Sequence, residues 1–561
     1  MAKRRQSPSI DSSSWSDHEI SNSASDSESE YDDASFHLQS RFFNSKKKNK
    51  AAPRKKRKAN EPASRDSEQA GGYADVPLHA KSTHVISSPQ AMRSALLDWY
   101  ETVRDIRGMP WRRPYDPHLG PEERAQRAYE VWVSEIMLQQ TQVTTVIPYY
   151  NRWMERFPTI RDLAEATIDE VNKLWKGLGY YSRASRLLAG AQKAVNEYNG
   201  RLPDNAKDME ANIPGIGRYS AGAICSIAYG EKAPVLDGNV HRLLSRFIAL
   251  HAPPKSKQTL DVLWAAASAL VDIEDTSPIT GGNHGAQMVQ HPGDINQALI
   301  ELGSTVCKVR QPDCDKCPLQ TWCSAYQHSK GVDARPSDTP IDIEDVCHLC
   351  EPISSPISVS SYPMKADRKK AREELDIVHV VEWRANGSST DRYFLMTRRP
   401  EQGLLAGLYD FPTSVAVPTA ITRHDQELLS SAVLSKLLSG FLSAPTAQEL
   451  PESEHEISEK PEIIKIHPVG DVLHIFSHIR KTYRVQWIIL EGGDKPPVTL
   501  SLGEDFANKI KKGKRTAKAA LPRNQVDNKG TVIWVPLDKV METNMGTGVI
   551  KVWNLTRKLW E

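Results

Sequence analysis

No run in the 561-residue chain stays apolar for the roughly 18 residues that a membrane-crossing helix needs, so a helical membrane span is excluded and a soluble protein is expected. Cysteine is scarce: there are seven, an odd number, and four of them fall within the 17 positions from Cys307 to Cys323. With no stretch resembling a secretory signal, this usage argues against a disulfide framework and for metal binding in a reducing compartment. Charge of one sign is missing locally. From Gln6 to Ser40 there are eight acids and no Lys or Arg, and from Lys46 to Lys58 there are nine bases and no acid, although the net charge is only +2. Internal repeats are also absent.

Residues 1–88 have too few apolar side chains to offset the entropy of ordering and are expected to be a disordered tail. Their block KKKNKAAPRKKRK is expected to be a bipartite nuclear localisation signal; a solvated nucleic-acid-binding tail is the plainer alternative. Residues 89–330 lack the alternating β-branched runs of strands. They carry apolar residues at three- and four-residue spacing, as in MRSALLDWYETVRD and TIDEVNKLW, which predicts an all-α domain. Residues 331–374, rich in Ser, Pro and Asp, form an interdomain linker. In 375–561, DIVHVVEW, RYFLMTRR, HPVGDVLHIFSH, TYRVQWIILEG and TVIWVPL are strand-like, and SSAVLSKLLSGFL is helix-like. The fold class is therefore multidomain, all-α followed by α+β.

Four short stretches carry chemistry. In VWVSEIMLQQTQV a single acid, Glu135, stands within an apolar helix, where a carboxylate is rare unless it is paired or has a task. In IPGIGRYSAGAI, Gly215 and Gly217 make a tight turn between helices that lets the backbone approach an anion. VLDGNVHR puts Asp237 and Asn239 at a turn, where an Asp before Gly is most often a helix cap. The set Cys307-x6-Cys314-x2-Cys317-x5-Cys323 can wrap one soft metal centre, either iron–sulfur or a four-cysteine zinc site.

In order along the chain, PWRR, WVSEIMLQQTQV, GLGYYSRA, IPGIGRYSAGAI, LDGNVHR, NQALIELGSTVC and the cysteine loop resemble the adenine DNA glycosylase (MutY) family of the helix-hairpin-helix glycosylase superfamily. The resemblance implies excision of adenine mispaired with 8-oxoguanine or guanine in duplex DNA, a base excision repair step. It implies an all-α helix-hairpin-helix domain with a [4Fe–4S] cluster on Cys307, Cys314, Cys317 and Cys323. Glu135 matches the catalytic acid and Asp237 the second carboxylate, with Asn239 and Tyr219 supporting them. Tyr219 stands where bifunctional endonuclease III-type relatives carry a nucleophilic lysine, so a monofunctional enzyme is expected. Trp111, Arg112, Leu138 and Thr141 match the adenine pocket or its rim, and Gln140 and Tyr180 match residues that wedge the base stack. LLAGLYDFP and HIFSHIRKTY resemble a Nudix-like domain whose catalytic box is missing, so no pyrophosphatase activity is expected. Phe476, Ser477 and His478 match its 8-oxoguanine-reading loop. VCHLC resembles a zinc-binding linker, but Pro340 and Ser245 stand where further cysteines are expected, so zinc at Cys347 and Cys350 would need other ligands, such as histidines. A monomer in the nucleus is expected, with a mitochondrial form left open. The implied partners are damaged duplex DNA, a sliding clamp, an abasic-site endonuclease and mismatch-repair factors. The alternatives are a bifunctional pyrimidine-lesion glycosylase and a catalytically silent mismatch-binding protein. Two stretches depart from the family pattern: Pro114–Arg124, expected to be a surface loop, and Asp272–Asp294.

Overall fold

The computed structural model describes residues 73–74, 79–273, 290–331, 342–354, 356–366, 370–385, 391–400, 405–439, 461–476, 479–500 and 531–560. The basic block of the tail and the tail's acidic stretch lie outside these residues. Among the described residues no helix is long and apolar enough to cross a membrane.

The helical domain runs through α1 (Pro89–Val103), α2 (Pro121–Leu138), α3 (Val143–Arg156), α4 (Ile160–Glu165), α5 (Ile168–Trp175), α6 (Ser182–Glu197), α7 (Ala206–Asn212), α8 (Arg218–Ile224), α9 (Gly238–Phe247), α10 (Lys257–Val271), α11 (Pro292–Thr305) and α12 (Ser324–Ser329). Local chemistry sets several starts. Thr167 and Glu170 cap α5 reciprocally, Asp237 caps α9 and Ser256 caps α10. The Pro114–Arg124 stretch is loop as far as Gly120, and its last residues form the first turn of α2, where Glu123 accepts from the Gly120 amide at 2.7 Å. One core joins the helices around Trp132, Trp153, Trp175 and Tyr129, all buried. Gly190 lets α6 approach α2, since a Cβ there would lie 2.8 Å from the Trp132 ring.

Strands β1 (Tyr73–Ala74) and β2 (Ile353–Ser354) pair in a small sheet of their own, and the C-terminal domain is a mixed sheet of β3 (Arg372–Arg384), β4 (Arg392–Arg398), β5 (Tyr409–Asp410), β6 (Thr413–Ser414), β7 (Glu462–Ile475), β8 (Ile479–Glu491) and β9 (Val532–Pro536). Its central path is β5-β4-β3-β8-β7, with β6 on β3 and β9 on β4; β3 and β8 are parallel and the other pairs antiparallel. Alternation along the strands sends Val378, Val485 and Trp487 to one face, under helix Thr547–Arg557. It sends Trp383, Ile488 and Leu490 to the other face, under helix Arg423–Leu437. All five predicted strand runs are strands. The last helix, TGVIKVWNLTR, was not anticipated; its β-branched residues are weak helix formers, but the row Val549, Val552 and Trp553 buries against the sheet.

Two expected boundaries are corrected. Ordered packing begins before residue 88. Residues 73–74 pair with Ile353–Ser354, Lys81 Nζ donates to the Glu344 carbonyl at 2.6 Å, and the Cys347 amide donates to the His79 carbonyl at 2.9 Å. The linker is not a free tether over its described part, because Ile353, Val359 and Tyr362 form a small core with Ala249 and Ala325 of the helical domain. Ile86 joins the core of the helical domain and the linker residues pack on that same domain, burial that the composition of either short segment alone does not reveal.

Candidate active site and metal centres

Glu135 lies near the C-terminal end of α2, flanked by buried Val131, Trp132, Ile136 and Met137. The Tyr219 hydroxyl, from α8, donates to Glu135 Oε2 at 2.9 Å. Burial drives the Glu135 carboxyl up to about 7 and the negative charge of Asp237 adds to this, while the Tyr219 hydrogen bond and the Arg112 charge oppose it. Asp237 is both the cap of α9, accepting from the Val240 amide at 2.7 Å, and the acceptor of Asn239 Nδ2 at 2.9 Å. Burial raises its carboxyl too, against those hydrogen bonds and the Arg242 charge. The approach to Asp237 is fixed by buried Asn296, which holds the Ala233 carbonyl and the Val235 amide.

Trp111 is buried against Tyr150, and Arg112 Nη1 donates to buried Glu301 at 2.8 Å. Arg107 reaches the same carboxylate at 3.1 Å. Glu301 is a further charged residue of the site that the sequence reading missed, and its signal is a lone acid in the apolar stretch ALIELG. Leu138 ends α2, and the chain then turns through Gln140 and Thr141. Gln140 and Tyr180 both have left-handed backbone, at φ 59° and 48°, and both are exposed, Tyr180 by 45%. Left-handed non-glycine residues are uncommon and collect at functional sites. Arg183 ties the two turns together, donating to the Ile136, Met137 and Gln139 carbonyls at 2.8, 3.0 and 2.6 Å and to the Gly179 carbonyl at 3.1 Å. Gly215 (φ +85°) and Gly217 form the turn between α7 and α8, and a Cβ on Gly215 would lie 2.7 Å from Arg186 Cβ.

The structure thus assembles Glu135, Tyr219, Asp237, Asn239 and Arg112 into one site. Phe476 sits apart in the β7–β8 hairpin, against His474, while Ser477 and His478 lie outside the described residues.

Residues 133–267 match the family described as "HhH-GPD superfamily base excision DNA repair protein". The rat adenine DNA glycosylase is 39% identical over 436 residues, 76% of this chain and 75% of its own length. The human adenine DNA glycosylase is 39% identical over 427 residues, 74% and 69% of the two chains. The chain belongs to the adenine DNA glycosylase family. A solved thermostable thymine-DNA glycosylase is 26% identical and covers 43% of this chain and 96% of its own, with a TM-score of 0.33. The chain therefore carries a helix-hairpin-helix glycosylase domain followed by the mixed-sheet domain described above, and the protein is a DNA glycosylase of base excision repair.

Two groups in this glycosylase suit metals. Cys307, Cys314, Cys317 and Cys323 line one cavity with Leu243, Phe247 and Arg246. Arg246 Nη1 donates to Cys307 Sγ at 3.3 Å and to the Lys308 carbonyl at 2.6 Å, so a cation already faces the sulfur that a metal would make anionic. This donor set fits a soft, thiolate-bound centre. Arg242 extends the loop toward the catalytic carboxylates, bonding the Cys307 carbonyl at 2.9 Å and Asn239 Oδ1 at 3.0 Å.

The second group is His79, His84, Cys347 and Cys350, whose donor atoms all lie within 4.8 Å of one another. His84 Nε2 is 3.1 Å from His79 Nε2, 3.5 Å from Cys347 Sγ and 3.4 Å from Cys350 Sγ. Its Nδ1 meets the Ile248 carbonyl at 2.8 Å, which puts the proton on Nδ1 and turns the Nε2 lone pair toward the sulfurs. Two nitrogens and two sulfurs fit zinc. The further ligands that a zinc at Cys347 and Cys350 would need are histidines from the stretch expected to be tail, more than 260 residues away in sequence, beyond the reach of local spacing. Ser245 bonds the His241 carbonyl and is not part of this group.

Proposed function

We propose that this enzyme is a monofunctional glycosylase that removes adenine opposite 8-oxoguanine, acting through Glu135 with Asp237. The observation that carries the reading is the Glu135–Tyr219 pair, in which a carboxyl held at about 7 by burial accepts a phenol hydrogen bond on Oε2. Near neutral pH the carboxyl keeps a proton on its other oxygen to deliver to adenine N7, which turns the base into a leaving group. Once ionised, it accepts a proton from the attacking water. Asp237, anchored by the Val240 amide and Asn239, faces the positive charge that develops on the sugar as the base departs. Tyr219 supplies no amine to attack the sugar, so the product is an intact abasic strand. Exposed, left-handed Gln140 and Tyr180 fill the gap left by the extruded nucleotide. The C-terminal domain reads 8-oxoguanine through Phe476, Ser477 and His478.

Cys307, Cys314, Cys317 and Cys323 hold a [4Fe–4S] cluster, and His79, His84, Cys347 and Cys350 hold zinc. Both groups serve to pin loops rather than to touch the substrate. The basic block Lys46–Lys58 supports a nuclear protein, and the family resemblance supports a sliding clamp, an abasic-site endonuclease and mismatch-repair factors as partners.

The test is single-turnover release of adenine opposite 8-oxoguanine by anaerobically prepared full-length protein, followed with and without alkali, beside Glu135→Gln. Alkali-dependent cleavage that Glu135→Gln loses is expected. Nicking without alkali, or release that survives the substitution, would overturn the mechanism. Metal analysis of the same preparation is expected to find about four irons and one zinc per chain; iron without zinc refutes the second site.

A further inference from the structure

The loop between α5 and α6 carries Tyr180 and is gripped from two sides. From the helical core, Tyr149 donates its hydroxyl to the Lys176 carbonyl at 2.8 Å and Trp175 Nε1 donates to the Gly179 carbonyl at 2.9 Å. The Gly177 amide donates to the Tyr181 hydroxyl at 3.2 Å. From the other side comes the C-terminal domain. Lys176 Nζ donates to the Met541 carbonyl at 2.5 Å and the Thr543 carbonyl at 3.2 Å. Asn544 Nδ2 donates to the Asp169 carbonyl at 3.2 Å, and Arg398 lies 3.5 Å from the Asp169 carboxylate. Leu408 is buried in the core cluster of the helical domain, and Leu405 packs against that cluster.

The same C-terminal segment is fastened to the reading hairpin. The Tyr409 amide donates to the Asn544 carbonyl, and the next residue, Asp410, pairs with Arg399. Tyr483 of β8 shares one buried cluster with Phe411 and Met545 and stacks on His474, which contacts Phe476. Packed contacts therefore run without a break from the β7–β8 hairpin to the turn bearing Tyr180.

We propose that Lys176 is a positioning residue that couples what the C-terminal domain reads to how the Tyr180 loop extrudes the opposite base. The two carbonyls that Lys176 grips belong to a segment that leads into Met545, in the cluster under the reading hairpin, and its own backbone is the first residue of the wedge loop. A lesion that seats the hairpin thus fixes the loop in its left-handed form. This inference rests on the assignment of 8-oxoguanine reading to the C-terminal domain.

The test uses the full chain as wild type, Lys176→Met and Asn544→Ala, with single-turnover adenine release opposite 8-oxoguanine and opposite guanine. Extrusion is followed separately by the fluorescence of 2-aminopurine placed at the adenine position. Lys176→Met keeps the length of the side chain and removes its donors, at a position that is not deeply buried. Lys176 is only half-buried, so losing its bonds is expected to cost no more than an ordinary hydrogen bond and to change the rate opposite 8-oxoguanine about three- to ten-fold. Release opposite guanine is expected to move by less than about two-fold. The 2-aminopurine signal falls only opposite 8-oxoguanine, and Asn544→Ala gives the same split more weakly. Equal losses on both substrates, or no loss in a protein whose wild type prefers 8-oxoguanine, overturn the coupling and leave the reader assignment standing. A wild type with no such preference overturns the reader assignment and the coupling with it.

Discussion

Removing one oxygen at Tyr219 tests the logic of the acid. Tyr219→Phe keeps the ring in its buried seat, where the residue is 9% exposed, and deletes only the 2.9 Å hydrogen bond to Glu135 Oε2. That bond opposes the burial that raises the carboxyl, so its loss lets the group climb further above about 7. A hydrogen bond to an ionised acceptor contributes about 1.5 to 3 kcal/mol, and the neutral acid keeps part of it, so the lower end applies and the expected rise is about one unit. Glu135 works as an acid only while protonated. The alkaline limb of the single-turnover pH–rate profile, near 7 in wild type, is therefore expected to move up to about 8 in Tyr219→Phe. Asp237→Asn removes a charge that raises Glu135 and should shift the limb the opposite way on a much lower plateau. A limb that stays in place or moves down in Tyr219→Phe would show that the phenol does not control this proton.

Glu135→Gln should trade activity for stability. The rise of the carboxyl from 4.5 to about 7 means that its ionised form is disfavoured in the folded state. The penalty is absent below about pH 4.5, grows as the pH rises, and is complete above about 7, at up to roughly 3 kcal/mol. Thermal melting should show Glu135→Gln more stable than wild type at pH 8 and equal to it at pH 4; a difference independent of pH would contradict the burial. Gly303→Ala should reach the site from behind. A Cβ there would lie 2.8 Å from the Asn239 carbonyl oxygen and 2.9 Å from its Cβ, so α9 must shift, at about 1–3 kcal/mol by denaturant melting and with a slower rate opposite adenine mispairs. Wild-type kinetics in Gly303→Ala would show that Asn239 tolerates displacement.

The sequence was informative where a pattern is local. Glu135, Asp237 and the four clustered cysteines stand out because an acid in an apolar helix, an Asp–Gly turn and close thiols each have a short-range signature. The strands of the C-terminal domain were legible from their period of two. What escaped notice depends on distance along the chain. His79 and His84 look like tail residues until Cys347 and Cys350 are folded beside them. Lys176 looks like one more surface lysine until residues 541–544 dock on it. The left-handed turns at Gln140 and Tyr180 were hidden for another reason: neither is glycine, and the surrounding Arg183 contacts hold the backbone where side-chain identity alone would not place it.

The parallel pairing of β3 with β8 bears on how the protein is made. Arg384 pairs with Glu491, 107 residues later, whereas β7 and β8 are antiparallel neighbours only three residues apart in sequence. At the usual pace of about 5–20 residues per second, β3 leaves the ribosome roughly 5 to 20 seconds before its central partner is complete. During that interval Val378, Val380 and Val381 have no β8 to cover them, next to a helical domain that has already been synthesised. Nascent chains stalled between residues 400 and 480 should therefore be the species that chaperones hold most tightly.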